Sequence, residues 1–151
     1  AAWVYRIDVS YLAKHTLFRG PLGWMIRYLG GIPIDRRAPH GVVQQVADRI
    51  AAADRILIAV PPSGTRKKRA YWKSGFYWIA VTAQVPILCG FLDYSRKRAG
   101  LGRCFVPTGD VSTDMDLLRD FYRGIQGKHP ELTTTIRLRD EDAASEGEES
   151  P

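Results

Sequence analysis

The run Ile56-Leu57-Ile58-Ala59-Val60-Pro61-Pro62-Ser63-Gly64-Thr65-Arg66 decides the fold of this chain. Its first five residues are all apolar, which is typical of a strand covered on both faces. Earlier in the chain, the run Gly31-Ile32-Pro33-Ile34-Asp35-Arg36 also leads from an apolar segment to an arginine. Ligands of open α/β sheets bind where strands end, so two such exits side by side would make a cationic floor for a phosphate.

Apolar runs alternate with amphipathic runs along the chain, and this pattern predicts an α/β domain. The predicted strands are 7–13, 32–34, 56–60, 86–92, 104–106 and 133–138, and the predicted helices are 21–30, 41–53, 73–83 and 114–125. A basic turn is expected at 94–101, and Ser112 or Thr113 is the expected N-cap of the last helix. Pro33 favours an edge position for its strand. We therefore expect a mixed, mostly parallel sheet flanked by helices.

The net charge of +6 conceals an uneven distribution of charge. Residues 140–151 hold six acids and no base, which leaves 22 bases against 10 acids, a charge of +12, in residues 1–139. We predict a folded basic domain at 1–139 and a disordered acidic tail at 140–151. A domain this basic favours an anionic partner such as phospholipid, a phosphate ester or nucleic acid.

Two cysteines are too few for a disulfide framework. No metal site is expected, since neither His15 nor His129 has a carboxylate or cysteine at ligand spacing. No apolar stretch approaches the ~20 residues that span a bilayer. Any contact with a membrane must therefore be peripheral, or come from sequence upstream of residue 1, and the localisation we expect is cytoplasmic, peripheral at the membrane.

A set of residues after the two apolar runs is suited to holding a phosphate. Arginine donates two parallel hydrogen bonds to a phosphate, and a glycine allows the sharp turn that aims neighbouring amides at an anion. A lysine near the start of a helix adds charge beside unpaired amides. The candidates are Arg36, Gly64, Thr65, Arg66 and Lys73.

The two runs and their spacing resemble the second and third signature blocks of the glycerolipid acyltransferases. The flanking segments resemble the family as well: Lys14-His15-Thr16-Leu17 with Pro21-Leu22-Gly23 before the second block, Trp72-Lys73-Ser74-Gly75 after the third, and Val85-Pro86-Ile87 as the fourth. The resemblance implies transfer of an acyl group from acyl-CoA or acyl-carrier protein to a lysophosphatidate-like acceptor. The donor would be a co-substrate, and no cofactor is implied.

The chain departs from the family pattern in two ways. The family carries a His-x4-Asp pair, but here Gly20, Gln45 and Thr134 lie five places after the three histidines. We expect this catalytic pair to precede residue 1, and residues 1–151 to be inactive by themselves. The third block also carries Ser63 where the family has glutamate.

A basic run with neighbouring aromatic residues suggests a surface for binding polyanions. It comprises Arg66, Lys67, Lys68 and Arg69, followed by Tyr71 and Trp72. Such a set suits anionic lipid, a solvated loop or nucleic acid, in that order of preference. In helix 21–30, Trp24 and Tyr28 could also rest on a bilayer, but a core position is slightly favoured because a helix that covers a sheet often buries a wide stripe. Besides the enzyme, two alternatives stay open: a catalytically silent module that binds anionic lipid, and a basic nucleic-acid-binding domain.

Overall fold

The structure is a computed structural model that describes residues 9–21, 23–35, 41–65 and 67–142. Its contacts divide the chain into two compact units, Ala1–Pro61 and Pro62–Pro151. The strands are β1 (Val9–Lys14), β2 (Gly31–Ile34), β3 (Leu57–Ala59), β4 (Ile87–Asp93) and β5 (Arg98–Phe105). The helices are α1 (Gly23–Tyr28), α2 (Gly41–Ala51), α3 (Gly75–Ala83) and α4 (Val111–Tyr122), with short 3-10 helices at His15–Arg19 and Pro130–Leu132.

The first unit is built on a parallel sheet of three strands in the order β2-β1-β3. Lys14 lies opposite Ile34 in the β1–β2 pair, and Val9 lies opposite Leu57 in the β1–β3 pair. Helices α1 and α2 contact β2. The buried apolar residues are small or branched: Ala13, Ile32, Ile34, Val46 and Ala47. The predicted α/β class is confirmed, and β2 is an edge strand within the described residues, as Pro33 indicated.

The exits of β2 and β3 are not neighbours, because β1 lies between them. Adjacent strands are ~4.8 Å apart, so these two exits are separated by roughly 10 Å. The prediction that they lie side by side is therefore wrong, although parallel pairing does place all three exits at one edge. The expected covering of β3 is also wrong, since Leu57 and Ile58 are half-buried and Ala59 is exposed.

The second unit packs α3 and α4 against the antiparallel hairpin β4–β5. Its core consists of Tyr77, Cys89, Met115, Leu118 and Leu138, surrounded by half-buried aromatic rings. In α3, Ile79 and Ala80 are buried and Tyr77 is fully buried, whereas Phe76 is half-buried. A buried tyrosine needs a partner for its hydroxyl, and that partner is Asp114, at 2.9 Å.

Two boundary predictions are corrected by local hydrogen bonds. The hairpin turn spans only 94–97, so β5 begins at Arg98 rather than at residue 104. Helix α4 is capped by Asp110, whose carboxylate accepts from the amides of Ser112 and Thr113. The aspartate is a better acceptor than either hydroxyl, and it starts the helix earlier than predicted.

Residues 133–138, predicted to form a strand, belong to no sheet. They are fixed by separate contacts: Leu138 is fully buried, Trp72 N donates to Arg137 O at 2.9 Å, and Arg69 N donates to Thr134 Oγ1 at 3.1 Å. The packing of Leu138 therefore replaces strand pairing as the anchor of this segment.

The acidic run from Asp140 begins in ordered structure, because residues 139–142 form a helical turn. Asp140 accepts from Trp78 Nε1 at 2.6 Å, Glu141 pairs with Arg119 at 2.9 Å, and Asp142 pairs with Arg137. We call residues 134–142 the C-terminal clasp. Disorder is thus the wrong prediction for residues 140–142, and residues 143–151 lie outside the described residues.

Candidate active site

The third-block turn brings two predicted site residues together. Gly64 has a φ of +59°, which favours glycine, and a Cβ there would lie 2.9 Å from Lys73 Cε and 3.1 Å from Lys73 Nζ. The amide of Lys73 also donates to Pro62 O at 2.9 Å. The lysine therefore folds back across the turn, with its ammonium group beside the Gly64 backbone.

Two hydroxyls of the same turn are used within it. Ser63 Oγ donates to Thr65 O at 3.3 Å, and Thr65 Oγ1 accepts from Lys67 N at 3.2 Å. A carboxylate at position 63 would have no proton to donate to Thr65 O. Ser63 thus stabilises the turn itself, and this role differs from that of a charged side chain directed at a substrate.

Both candidate arginines of the phosphate floor, Arg36 and Arg66, lie outside the described residues. The structure does describe how the chain reaches the first of them. Gln45 in α2 accepts from Asp35 N at 3.2 Å and donates to Asp35 O at 2.8 Å. This glutamine holds the exit of β2, and it was missed because no local pattern links it to residue 35.

A histidine–carboxylate contact also lies at this edge of the sheet. Lys14, the last residue of β1, lies opposite Ile34, the last residue of β2, so His15 and Asp35 directly follow the ends of two adjacent strands. His15 Nδ1 is buried without a hydrogen-bond partner and lies 3.7 Å from Asp35 Oδ1. A search for aspartate five places after a histidine misses this pair, because it forms between strands rather than along the chain.

A groove of about 670 Å³ runs along β2, and its lining includes Arg27, Gln45, Asp48 and Arg49. Its volume falls within the range of small-molecule sites. Two guanidinium groups share it with a carboxylate, so its charge does not select an anion as clearly as the Gly64–Lys73 turn does. Nothing in the sequence pattern indicated this groove.

The residues predicted for a membrane surface differ in exposure. Lys67, Lys68 and Arg69 are exposed, and so are Trp24 (71%) and Tyr28 (85%). Trp72 departs from the prediction, because its ring packs edge-on against Phe76 and Tyr122, with ring centroids 6.0 Å and 5.9 Å apart. Its place beside the core leaves Trp72 little surface for lipid.

A comparison with protein families identifies the class of chemistry. The family model described as Acyltransferase matches residues 2–90, which include the second-block exit, the third-block turn and the start of β4. The chain belongs to this acyltransferase family. It is the family of 1-acylglycerol-3-phosphate O-acyltransferases, and the resemblance of the sequence blocks is confirmed. No solved structure matches the chain.

Two further features concern only the described part of the chain. No helix there has the length and hydropathy to cross a bilayer. Likewise, these residues contain no group of three or more histidine, cysteine or acidic side chains placed to hold a metal ion.

Proposed function

We propose that this acyltransferase transfers a fatty acyl group from acyl-CoA or acyl-carrier protein to the hydroxyl of a lysophosphatidate-like acceptor. The reaction would take place at the cytoplasmic face of an anionic membrane. The family supports acyl transfer in general. The acceptor is inferred from one observation, the Lys73 ammonium group folded over the Gly64 turn. A positive charge beside a left-handed glycine turn suits a phosphate monoester better than an uncharged headgroup.

The experiment compares Lys73→Met with Lys67→Met, which removes an exposed lysine from the same basic segment. Binding of short-chain lysophosphatidate is measured by calorimetry, with monoacylglycerol as the ligand that lacks phosphate. A hydrogen bond to a charged group contributes about 1.5–3 kcal/mol, so Lys73→Met should weaken binding roughly ten- to hundred-fold. Equal losses in the two variants, or equal binding of monoacylglycerol, would contradict the proposed acceptor site.

We propose in addition that residues 1–151 by themselves do not transfer the acyl group. Loss of a placed general base typically costs about 10²–10⁴ in rate, and no histidine of the sequence has the His-x4-Asp spacing. Transfer to lysophosphatidate above the uncatalysed rate would contradict this. In that event His15→Asn would show whether the His15–Asp35 contact supplies the base, since asparagine cannot accept the proton.

A silent lipid-binding module is the second candidate, and Ser63 is the observation that favours it. The Ser63 hydroxyl is bonded within its own turn, and position 63 itself carries no carboxylate in place of the family's glutamate. The module would bind lysophosphatidate without any turnover, even when the His-x4-Asp segment of a relative is joined to the chain. In that longer chain, Ser63→Glu should change turnover if the site is that of an enzyme. Turnover should rise if Ser63 marks a partial loss of function, and it should fall if the site is adapted to a different acceptor. An unchanged rate with several acceptors would leave position 63 without a catalytic role.

The basic segment 67–69 supports attraction to anionic lipid. Each basic residue close to an anionic bilayer contributes about 1 kcal/mol, and the acids at 146, 148 and 149 should compete with the lipid for these charges. Deleting residues 143–151 should therefore tighten binding to anionic vesicles at low salt, while the clasp residues 140–142 are kept because they are paired within the fold. Unchanged co-sedimentation, or a preference for single-stranded RNA over vesicles, would contradict the lipid surface.

A further inference from the structure

The β4–β5 hairpin has one face in the core and one face in solvent. Cys89, Phe91 and Phe105 point inward. The ring centroid of Phe91 lies 6.1 Å from that of Phe121 in α4. A Cβ on Gly102 would lie 2.3 Å from the Phe121 ring, so glycine is required for α4 to pack this closely. Because side chains alternate along a strand, the residues between these inward ones form the other face.

That outer face is apolar and exposed. Antiparallel register places Leu88 opposite Cys104, Gly90 opposite Leu101, and Leu92 opposite Ala99. Leu92 is 61% exposed, Leu101 56% and Val106 61%. We call this set the hairpin face: Leu88, Leu92, Ala99, Leu101, Cys104 and Val106. A contiguous apolar face of this kind indicates an interaction surface rather than scattered exposed residues.

The turn at the end of the hairpin is basic and rigidly built. Asp93 is buried and accepts from Ser95 Oγ at 2.6 Å, from the Ser95 and Arg96 amides, and from Arg96 Nη1 at 3.1 Å. The bond from Ser95, with those from Arg96, lowers the Asp93 pKa to about 2 and keeps the carboxylate charged. Lys97 adopts a φ of +51°, which is unusual for a residue with a side chain. The turn therefore holds Lys97 and Arg98 in a defined, exposed position.

Charge identifies the partner that this surface fits. Residues 87–106 contain four bases, Arg96, Lys97, Arg98 and Arg103, and a single acid, the buried Asp93. An apolar face bordered by Lys and Arg without exposed acids complements acyl chains beneath anionic headgroups. We propose that the hairpin face, with Lys97 and Arg98 at its end, docks on an anionic lipid bilayer. The proposal rests on the proposed membrane function and adds a docking surface to it. The residues of this surface have a sequence pattern that predicts only strands and a basic turn.

The first experiment measures binding of the full chain to vesicles of phosphatidylcholine with and without phosphatidylglycerol. The apolar variant is Leu92→Gln with Leu101→Gln, and its matched control is Leu132→Gln, an exposed leucine on the 3-10 helix outside the hairpin. The charge variant is Lys97→Gly with Arg98→Gln, in which glycine also suits the positive φ; its control is Lys128→Gln. Loss of two charges at the surface should weaken binding about 25-fold, and the apolar variant at least as strongly, while both controls bind like the parent.

The second experiment reads contact directly and does not depend on the substitutions. Cys104 is exposed on the hairpin face, whereas Cys89 is buried, and burial raises the pKa of the Cys89 thiol and makes it less reactive. An environment-sensitive fluorophore will therefore attach to Cys104. Its emission should shift to the blue with anionic vesicles and return at high salt. The same dye on Lys128→Cys in a Cys104→Ser background should not shift.

Two results would overturn the proposal. One is full vesicle binding by both hairpin variants with no shift of the dye on Cys104. The other is a dimer in solution that Leu92→Gln with Leu101→Gln dissociates, since a second copy would then occupy this face. Failure of the proposed acyl transfer is separate, because vesicle binding and the dye shift require no turnover. In the chain joined to the His-x4-Asp segment of a relative, hairpin variants that lose transfer only on vesicles and keep transfer to a monodisperse short-chain acceptor would support both proposals together.

Discussion

The two units of the chain differ in where their large side chains lie. In the first unit the buried apolar residues are alanine, valine and isoleucine, while Trp24 and Tyr28 are among the most exposed large residues. In the second unit Tyr77, Met115 and Leu138 are fully buried, and rings such as Trp72 and Phe121 pack around them. The first unit thus exposes large aromatic side chains, whereas the second unit packs them in and around its core.

The part of the chain that matches the acyltransferase family does not coincide with either unit. The strand exits and the Gly64–Lys73 turn lie within residues 2–90, the part that matches the acyltransferase family. The second unit continues past residue 90 through β5, α4 and the C-terminal clasp, which supply most of its core. We infer that residues 91–142 fix the third-block turn in place, since Arg69 and Trp72 are bonded to the clasp.

The largest expected effect on stability comes from shortening the fully buried Leu138 of the clasp. Leu138→Ala leaves a cavity in the core of the second unit and should cost about 2–5 kcal/mol in the free energy of unfolding. Urea unfolding followed by tryptophan fluorescence measures it. Leu132→Ala, at a half-exposed leucine six residues earlier, should cost far less. Similar costs at the two positions would mean that the clasp is not part of the core.

A smaller effect is expected from the buried carboxylate of Asp114 in α4. Asp114 accepts from Tyr77 Oη at 2.9 Å, from Thr108 N at 2.7 Å and from Thr108 Oγ1 at 3.2 Å. Asp114→Asn replaces one of the two acceptor oxygens by an NH2 donor beside these donors and should cost about 1–3 kcal/mol. Asp116→Asn on the exposed side of the same helix is the control, since its ion pair with Arg119 is at the surface. If the Asp116 variant loses as much stability, the buried hydrogen bonds of Asp114 do not contribute more than an exposed ion pair.

The hairpin turn predicts a pH dependence of stability. Bonds from Ser95 and then Arg96 hold the pKa of Asp93 at about 2, below its ordinary value of 3.8. A depressed carboxylate pKa stabilises the folded state above the unfolded pKa, and this contribution is lost as the pH falls from about 4 toward 2. The melting-temperature difference between the parent and Asp93→Asn should therefore be constant near neutral pH and shrink across that acid range. A melting-temperature difference between the parent and Asp93→Asn that does not change with pH would contradict the assigned pKa.

The sequence predicted what depends on neighbouring residues and missed what depends on contacts between distant ones. The α/β class and most strands and helices follow from local periodicity, and Gly64 and Lys73 both belong to the set of residues predicted to hold a phosphate. No local spacing predicts that β1 lies between the exits of β2 and β3. The His15–Asp35 contact and the hydrogen bonds of Gln45 to Asp35 likewise join residues that are distant in the sequence. Leu138 was expected in a strand because a short apolar run does not reveal whether it pairs or packs.

The smallest effect on stability is expected from the exposed aromatic residues of the first unit. Trp24 is 71% exposed and Tyr28 is 85% exposed, so truncation removes little surface that folding has buried. Trp24→Ala should change the free energy of unfolding by no more than about 0.5 kcal/mol, whereas Leu138→Ala in the second unit should cost about 2–5 kcal/mol. Urea unfolding of both variants measures the contrast, with binding to anionic vesicles as a second readout for Trp24→Ala. A large stability loss at Trp24 would show that this ring is covered in solution, and would remove it from the proposed membrane surface.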